Sequence, residues 1–463
     1  RTAAGKWETT AVVNNRRLER RHKLRQRSNL LQCSLHPSTK VLLMGIPEFG
    51  STFEDRPDGS EMADYMKIVS DIVDDKADSL NALGRYLWDN PETALKEFKA
   101  HKRIADFLEC EGFTVQKNYI LPTAFRAEFG GEGPVVVFMC EYDALPDIGH
   151  ACGHNLIAEC AVAAGIAVKQ VLQENSSLTA KVVVLGTPAE EAEQGKVDLL
   201  RGGAFDDADI ALMAHPSRIN SAYASTYALL QIGVEYEGRA SHAGARPWEG
   251  VNALDAAVGA YVNVGLLRQQ MKPDMRISGI ITDGGKVANI VPAQSKMEFI
   301  IRAPENHELK SLRTKLERCL RSSAEATGCS IAIRDKSPLI EALNQNRIMG
   351  SIYREYAEKF GLDFSESGNE AKISASTDAG NVSNVIPVLH PGYKLEDATT
   401  SNHTPEFANA AVSPKSFDAT LKVAKALALT ALEVLSSPDL LKNVRMEFDA
   451  NIAASRIKAD PNL

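Results

Sequence analysis

The sequence predicts an α/β fold, a central and mostly parallel sheet into which a ferredoxin-like α+β domain is inserted. Three apolar runs, residues 135–139, 182–185 and 208–214, each lead into residues of metal-ligand type. In open α/β sheets, sites form just beyond the carboxyl ends of strands, so three such strands point to one shared site. Between residues 228 and 336 the pattern becomes β-α-β-β-α-β, the order of a ferredoxin-like module. A chain of 463 residues also exceeds one ordinary core, in keeping with two domains.

Residues 1–40 hold ten Lys or Arg against Glu8 and Glu19, which leaves 42 basic and 58 acidic side chains elsewhere in a chain of net charge −8. A body this acidic has no basic face for a nucleic acid. The basic head lacks the apolar stretch of a signal peptide, and residues 1–60 are expected to be a disordered or artefactual leader. By the sequence, no apolar stretch is expected to reach the ~20 residues of a membrane span, and no membrane partner is expected. Seven scattered cysteines, Cys33, Cys110, Cys140, Cys152, Cys160, Cys319 and Cys329, favour free thiols and a cytoplasmic setting.

The catalytic domain is expected over residues 61–227 and 337–463, on either side of the insert at 228–336. Residues 61–113 have helical spacing, broken at Asn90-Pro91-Glu92. The run 135–139 then empties into Cys140, Glu141, Asp143, Asp147, His150, Cys152 and His154, and an Ala-rich helix follows at 157–171. The second run passes through a turn into Glu190-Glu191, and the third ends in His215. After the insert come a helix at 345–360, the loop SASTDAGNVSNVIPVLHPG, the segment TSNHTPEF with His403, and a closing helix at 417–435.

Each of these groups has a bland reading when taken singly. Cys152-Gly153-His154 reads alone as a buried thiol beside a structural histidine, yet in an extended loop residues two apart project together and reach adjacent metals. Glu190-Glu191 reads alone as a solvated acidic turn, with Glu193 just beyond. Beside a dication, one carboxylate can coordinate while the other accepts a proton from water, a role contributing ~10²–10⁴-fold. His215 alone is a core histidine and His403 a surface one. Together with Cys152, His154 and one carboxylate of the glutamate pair they make a five-ligand set for two metals, in which Cys152 is the candidate anionic bridge. His150 and His390 are read as structural.

The motifs EYDALP, GHACGHN, GTPAEE, MAHP, SHAGARPWEGVNALDA, NIVP, STDAGNVS and NHTPEF occur in that order. Across residues 61–435 the chain resembles the aminoacylase and glutamate-carboxypeptidase family of two-zinc amidohydrolases, most of all its β-alanyl-lysine dipeptidase branch. The resemblance implies a zinc-exopeptidase-like catalytic domain with an inserted lid and dimerisation domain, working as a homodimer. It also implies that Cys152, His154, Glu191, His215 and His403 bind two metals and that Glu190 is the general base. His242 would reach the partner's site to stabilise the oxyanion, and Asn289 and Arg302 would grip the substrate carboxylate. Many members carry His-x-Asp where this chain has Glu141-Tyr142-Asp143. His154 then replaces the missing ligand, and Asp143 orients an imidazole. The donor set suits zinc and is compatible with manganese or cobalt.

The expected function is a cytosolic dipeptidase acting on β-alanyl-lysine, β-alanyl-ornithine or γ-aminobutyryl-lysine. The alternatives are a broader N-acyl-amino-acid or aminobenzoyl-glutamate hydrolase, and, from another class, a non-catalytic metal-binding scaffold. Thr377 and Asp378 fall in a family-like motif with no chemistry assigned.

Overall fold

The computed structural model describes residues 56–365 and 375–459. All but the last five residues of the expected leader lie outside the described residues. Helices α1 (Gly59–Asp75), α2 (Ala77–Asp89) and α3 (Phe98–Cys110) come first, with a break at Lys76 as well as the expected one after Asp89. The Asp58 carboxylate opens α1 by accepting the Ser60 N–H at 3.2 Å, and Tyr65, Val69, Leu80, Leu83 and Leu87 bury the apolar faces of α1 and α2.

Next come β1 (Thr114–Lys117), β2 (Phe125–Gly130), β3 (Val135–Cys140), α4 (His154–Glu174), β4 (Lys181–Gly186), α5 (Gly195–Arg201), β5 (Ile210–Leu212) and β6 (His215–Ser217). The insert supplies β7 (Ala228–Glu237), α6 (Ala253–Leu267), β8 (Arg276–Asp283), β9 (Gln294–Ala303), α7 (Asn306–Thr327) and β10 (Ser330–Asp335). The chain closes with α8 (Arg347–Lys359), α9 (Ala379–Ser383), β11 (Val388–Leu389), β12 (Gly392–Lys394), α10 (Pro405–Ala410), α11 (Pro414–Ser436) and α12 (Pro438–Ala459).

The central six-stranded sheet has the order β1-β2-β4-β3-β5-β11. β3 lies parallel to β4 and β5, and β11 to β5, while β1 and β2 run antiparallel. The three expected strands are therefore neighbours, and their carboxyl ends open on one side. Every residue of β3 is buried, as a strand covered on both faces requires. α4 covers one face. A Cβ at Gly165 of α4 would meet Val184 Cγ2 at 2.3 Å, so glycine permits the close helix–sheet approach. Contrary to expectation, α4 is long and apolar enough to cross a membrane. However, 89% of its apolar window is buried inside the protein, the position of a core helix.

The third run is a second correction. β5 stops at Leu212, and His215 opens β6, which pairs with β12 in a separate two-stranded ribbon. The insert's antiparallel sheet has the ferredoxin-like order β10-β7-β9-β8 and, with α6 and α7, its own apolar core. Helix α12 was not expected, because charged and amide side chains interrupt its apolar spacing. The Ser437 hydroxyl caps it by accepting the Leu440 N–H at 3.1 Å, and Lys458 near its end pairs with Glu305 before α7 at 2.9 Å.

Candidate active site

The carboxyl ends of β3 and β4 and the chain leaving β5 meet beside a cavity of about 530 Å³, whose far wall is the inserted sheet. Cys152 ends the turn that enters α4, and Gly153 there is left-handed at φ 80°. A Cβ on Gly153 would lie 2.5 Å from Pro216 Cγ, so only glycine lets this turn close against the His215 segment. The extended loop expected here is thus a tight turn, with His154 as the first residue of α4.

Cys152 Sγ lies 3.5 Å from His215 Nε2, and the His154 ring stands edge-on to that of His215 at 6.0 Å. His215 Nδ1 faces the Pro216 carbonyl at 2.8 Å, which turns Nε2 toward the site. His403, at φ 66°, is anchored by its N–H to the Ala151 carbonyl and brings Nε2 within 3.3 Å of Glu191 Oε1. Three donor sets, Cys152/His154/His215, Cys152/Glu191/His403 and His154/Glu190/Glu191, each fit within 4.8 Å. All five expected ligands and Glu190 are brought together, with Cys152 shared by two sets.

These donors fit metal ions. His154 Nε2 and Glu141 Oε2 are buried 3.5 Å apart, and neither makes a hydrogen bond among the described residues. Burial pushes the Cys152 thiol well up, so a thiolate there needs a cation beside it.

Asp143 faces His154 Nδ1 with one carboxylate oxygen at 3.2 Å and accepts the Glu191 N–H with the other at 2.9 Å. It orients an imidazole and a carboxylate of the site at once. Burial opposes its charge, but His154, the Glu191 N–H and Lys196 together outweigh burial and keep its carboxyl below the ordinary range. The Glu190 carboxyl is pushed well above its ordinary range by burial first, then by Glu141, Asp378 and Glu191. A carboxyl so tuned holds a proton more readily than a surface glutamate.

Sequence reading missed the charge that balances this cluster. Lys196, fully buried at the start of α5, donates to Asp378 Oδ1 at 2.6 Å and to Glu141, and its backbone N–H donates to Asp378 Oδ2 at 2.9 Å. Glu141, Glu190 and Asp378 gather within 4.8 Å of one another. In EEAEQGKVDLL the lysine reads as one more solvated charge, and no local signal marks its burial. His390, read as structural, lines the cavity and stacks on His215 at 5.9 Å; burial and then His215 lower its pKa to about 4. His150 is buried and does not line the cavity.

The residues expected from the lid divide into two groups. Arg302 lines the cavity and donates to Ser376 Oγ at 3.0 Å. His242 and Asn289 sit side by side on exposed lid backbone, outside this cavity, so one subunit does not unite Asn289 with Arg302 as one clamp. His242 Nδ1 accepts the Gly244 and Ala245 N–H groups at 3.2 and 3.1 Å, which assigns the ring proton to the outward-facing Nε2.

The M20 peptidase dimerisation domain matches residues 226–328. The chain is 46% identical over 402 residues to the Xaa-Arg dipeptidase of Mus musculus and 43% identical over 408 residues to that of Homo sapiens, covering 84% of this chain and 93% of the relative each time. A dinuclear metal-binding peptidase of the M20 family from Bacillus subtilis shares the fold, with a TM-score of 0.60 and 19% identity over 77% of this chain and 98% of that one. With near full-length identity of this order and its ligand-type residues gathered at the strand ends, the chain is a hydrolase and belongs to the M20 peptidase family.

Proposed function

We propose that this hydrolase is a two-metal dipeptidase for substrates ending in a basic residue, of the β-alanyl-lysine, β-alanyl-ornithine or γ-aminobutyryl-lysine kind. The observation that carries this reading is the convergence of Cys152, His154, Glu191, His215 and His403 around Glu190 in one cavity. Two divalent ions held there, zinc by the thiolate, imidazole and carboxylate chemistry of the donors, would polarise the scissile carbonyl and acidify the attacking water. Glu190 takes the proton of that water and returns it to the leaving amine. Asp143 keeps His154 in the required tautomer. Arg302 pairs with the C-terminal carboxylate, and the partner subunit's His242 donates from Nε2 to the oxyanion, with the partner subunit's Asn289 beside it.

Charge favours a basic substrate over a glutamate-ended one. Among the described residues lining the cavity, Arg302 is the one Lys or Arg. A substrate ending in glutamate brings two carboxylates to one guanidinium, whereas a basic dipeptide brings one. The Xaa-Arg names of the relatives support the same choice, and the hydrolase assignment disfavours the scaffold alternative. The proposed setting is cytosolic.

The test is release of free amino acid from β-alanyl-lysine by purified protein with zinc, manganese or chelator, with acetylated and glutamate-ended amides run beside it. Chelator-sensitive cleavage of the basic dipeptide alone is expected. Cleavage of only the other amides overturns the substrate, and metal-loaded protein inert on all of them overturns the reaction.

The homodimer is proposed to form through the lid. Val258, Tyr261, Val262 and Leu266 line the outer face of α6 at helical spacing, and Leu266 is 70% exposed. Leu266→Glu is expected to yield monomers by light scattering, with activity lost because the partner subunit's His242 is withdrawn. A variant that remains dimeric at wild-type concentration dependence assigns the interface elsewhere.

A further inference from the structure

Glu97 lies at the start of α3, where ALKEF reads as an exposed charged stretch, yet it is fully buried. One carboxylate oxygen accepts the Ala189 N–H at 3.0 Å, and the other accepts the Thr123 hydroxyl at 2.8 Å. Ala189 has φ 64°, the left-handed region that a residue with a Cβ rarely adopts, and the next two residues are Glu190 and Glu191. Glu97 belongs to none of the metal-donor sets. A buried N–H must find an acceptor, and here the acceptor comes from a helical layer outside the site.

We propose that Glu97 is a positioning residue that holds Ala189 in its left-handed turn and thereby places the Glu190 carboxylate for proton transfer. The inference rests on the reading of Glu190 as the general base. Rotation at Ala189 swings the Glu190 side chain as a lever, and a misplacement of ~1 Å at a reacting group can cost ~10²-fold in rate. Burial pushes the Glu97 carboxyl up to about 7, so its acid form is populated near neutrality. Glutamine copies that acid form: it still offers an oxygen to Ala189, and its amide donates to Thr123.

The experiment compares Glu97→Ala, Glu97→Gln, Thr123→Val and Glu190→Gln as metal-loaded full-length protein. It measures metal content and separate kcat and KM values for the best substrate of the amide panel above. Glu97→Ala is expected to lower kcat by ~10- to 100-fold with KM within about twofold and metal content unchanged, the signature of a misplaced reacting group. Glu97→Gln is expected to keep at least about half of kcat, and Thr123→Val, which frees the carboxyl to rotate, to lose about threefold. Wild-type kcat in Glu97→Ala overturns the proposal, as does an equal loss in Glu97→Gln, which would make charge rather than acceptance the requirement. If Glu97→Ala does not fold, Thr123→Val decides, and wild-type kcat there overturns it. Should Glu190→Gln turn over normally while Glu97→Ala loses kcat, the base assignment fails and the positioning of the turn stands. The opposite pattern removes Glu97 and keeps the base.

Discussion

Glu190→Gln is expected to lower kcat by ~10²–10⁴-fold, the range of a positioned general base, while the protein keeps its full metal complement. Glutamine has the shape of glutamate and none of its proton affinity, so the substitution removes proton transfer and leaves the cavity filled. Burial, Glu141, Asp378 and Glu191 raise the proton affinity of Glu190, whereas the neighbouring Glu191 lies 3.3 Å from His403 and accepts no such raised value. The two carboxylates are thereby driven apart in role by their surroundings. Amino-acid release gives kcat, and elemental analysis gives metal content. Unchanged turnover takes Glu190 out of the mechanism, and loss of metal together with activity reassigns it as a ligand.

Lys196→Met carries the largest expected loss of stability. The ammonium is fully buried, bonded to Asp378 and Glu141, with Glu190 in the same carboxylate cluster. Burial opposes its charge, but Asp378, Glu141 and Glu190 outweigh burial and raise its pKa above the ordinary lysine value. Removing the cation strands buried carboxylates, for which breaking a buried pair typically costs ~3–5 kcal/mol. The melting temperature of the metal-loaded variant should fall clearly. Lys196→Met combined with Asp378→Asn removes one carboxylate with the cation and should recover about half of that fall, because the two sites couple. A single variant melting within about 1 °C of wild type, or a double variant that melts lower still, would show that the network does not balance charge in this way.

The strand ends were legible because burial on both faces forces near-continuous apolar runs, and the residues that follow such runs stand out. Residues 135–139 and 182–185 lie within β3 and β4, and Cys152, His154, Glu190, Glu191, His215 and His403 do converge. Local chain direction was less legible. His215 opens β6 where a strand end was expected, and His154 begins α4 where a loop was expected, because backbone turns at Gly153 and between Leu212 and His215 depend on packing against Pro216 and β12. α12 escaped notice because polar side chains break its apolar period.

By itself the sequence determined the α/β class, the ferredoxin-like order of the insert and the residue types that gather at the strand ends, since periodicity and strand-end position are local properties of the chain. Only the tertiary structure decided what surrounds those residues. Lys196 lies 182 residues from Asp378, Glu97 lies 92 residues from Ala189, and Arg302 meets Ser376 across 74. A lone charged residue in a helix reads as solvated wherever it stands in the sequence. Whether it is buried, and against which partner, depends on chain segments that come together only on folding, and burial is what turns these charges into the supports of the site.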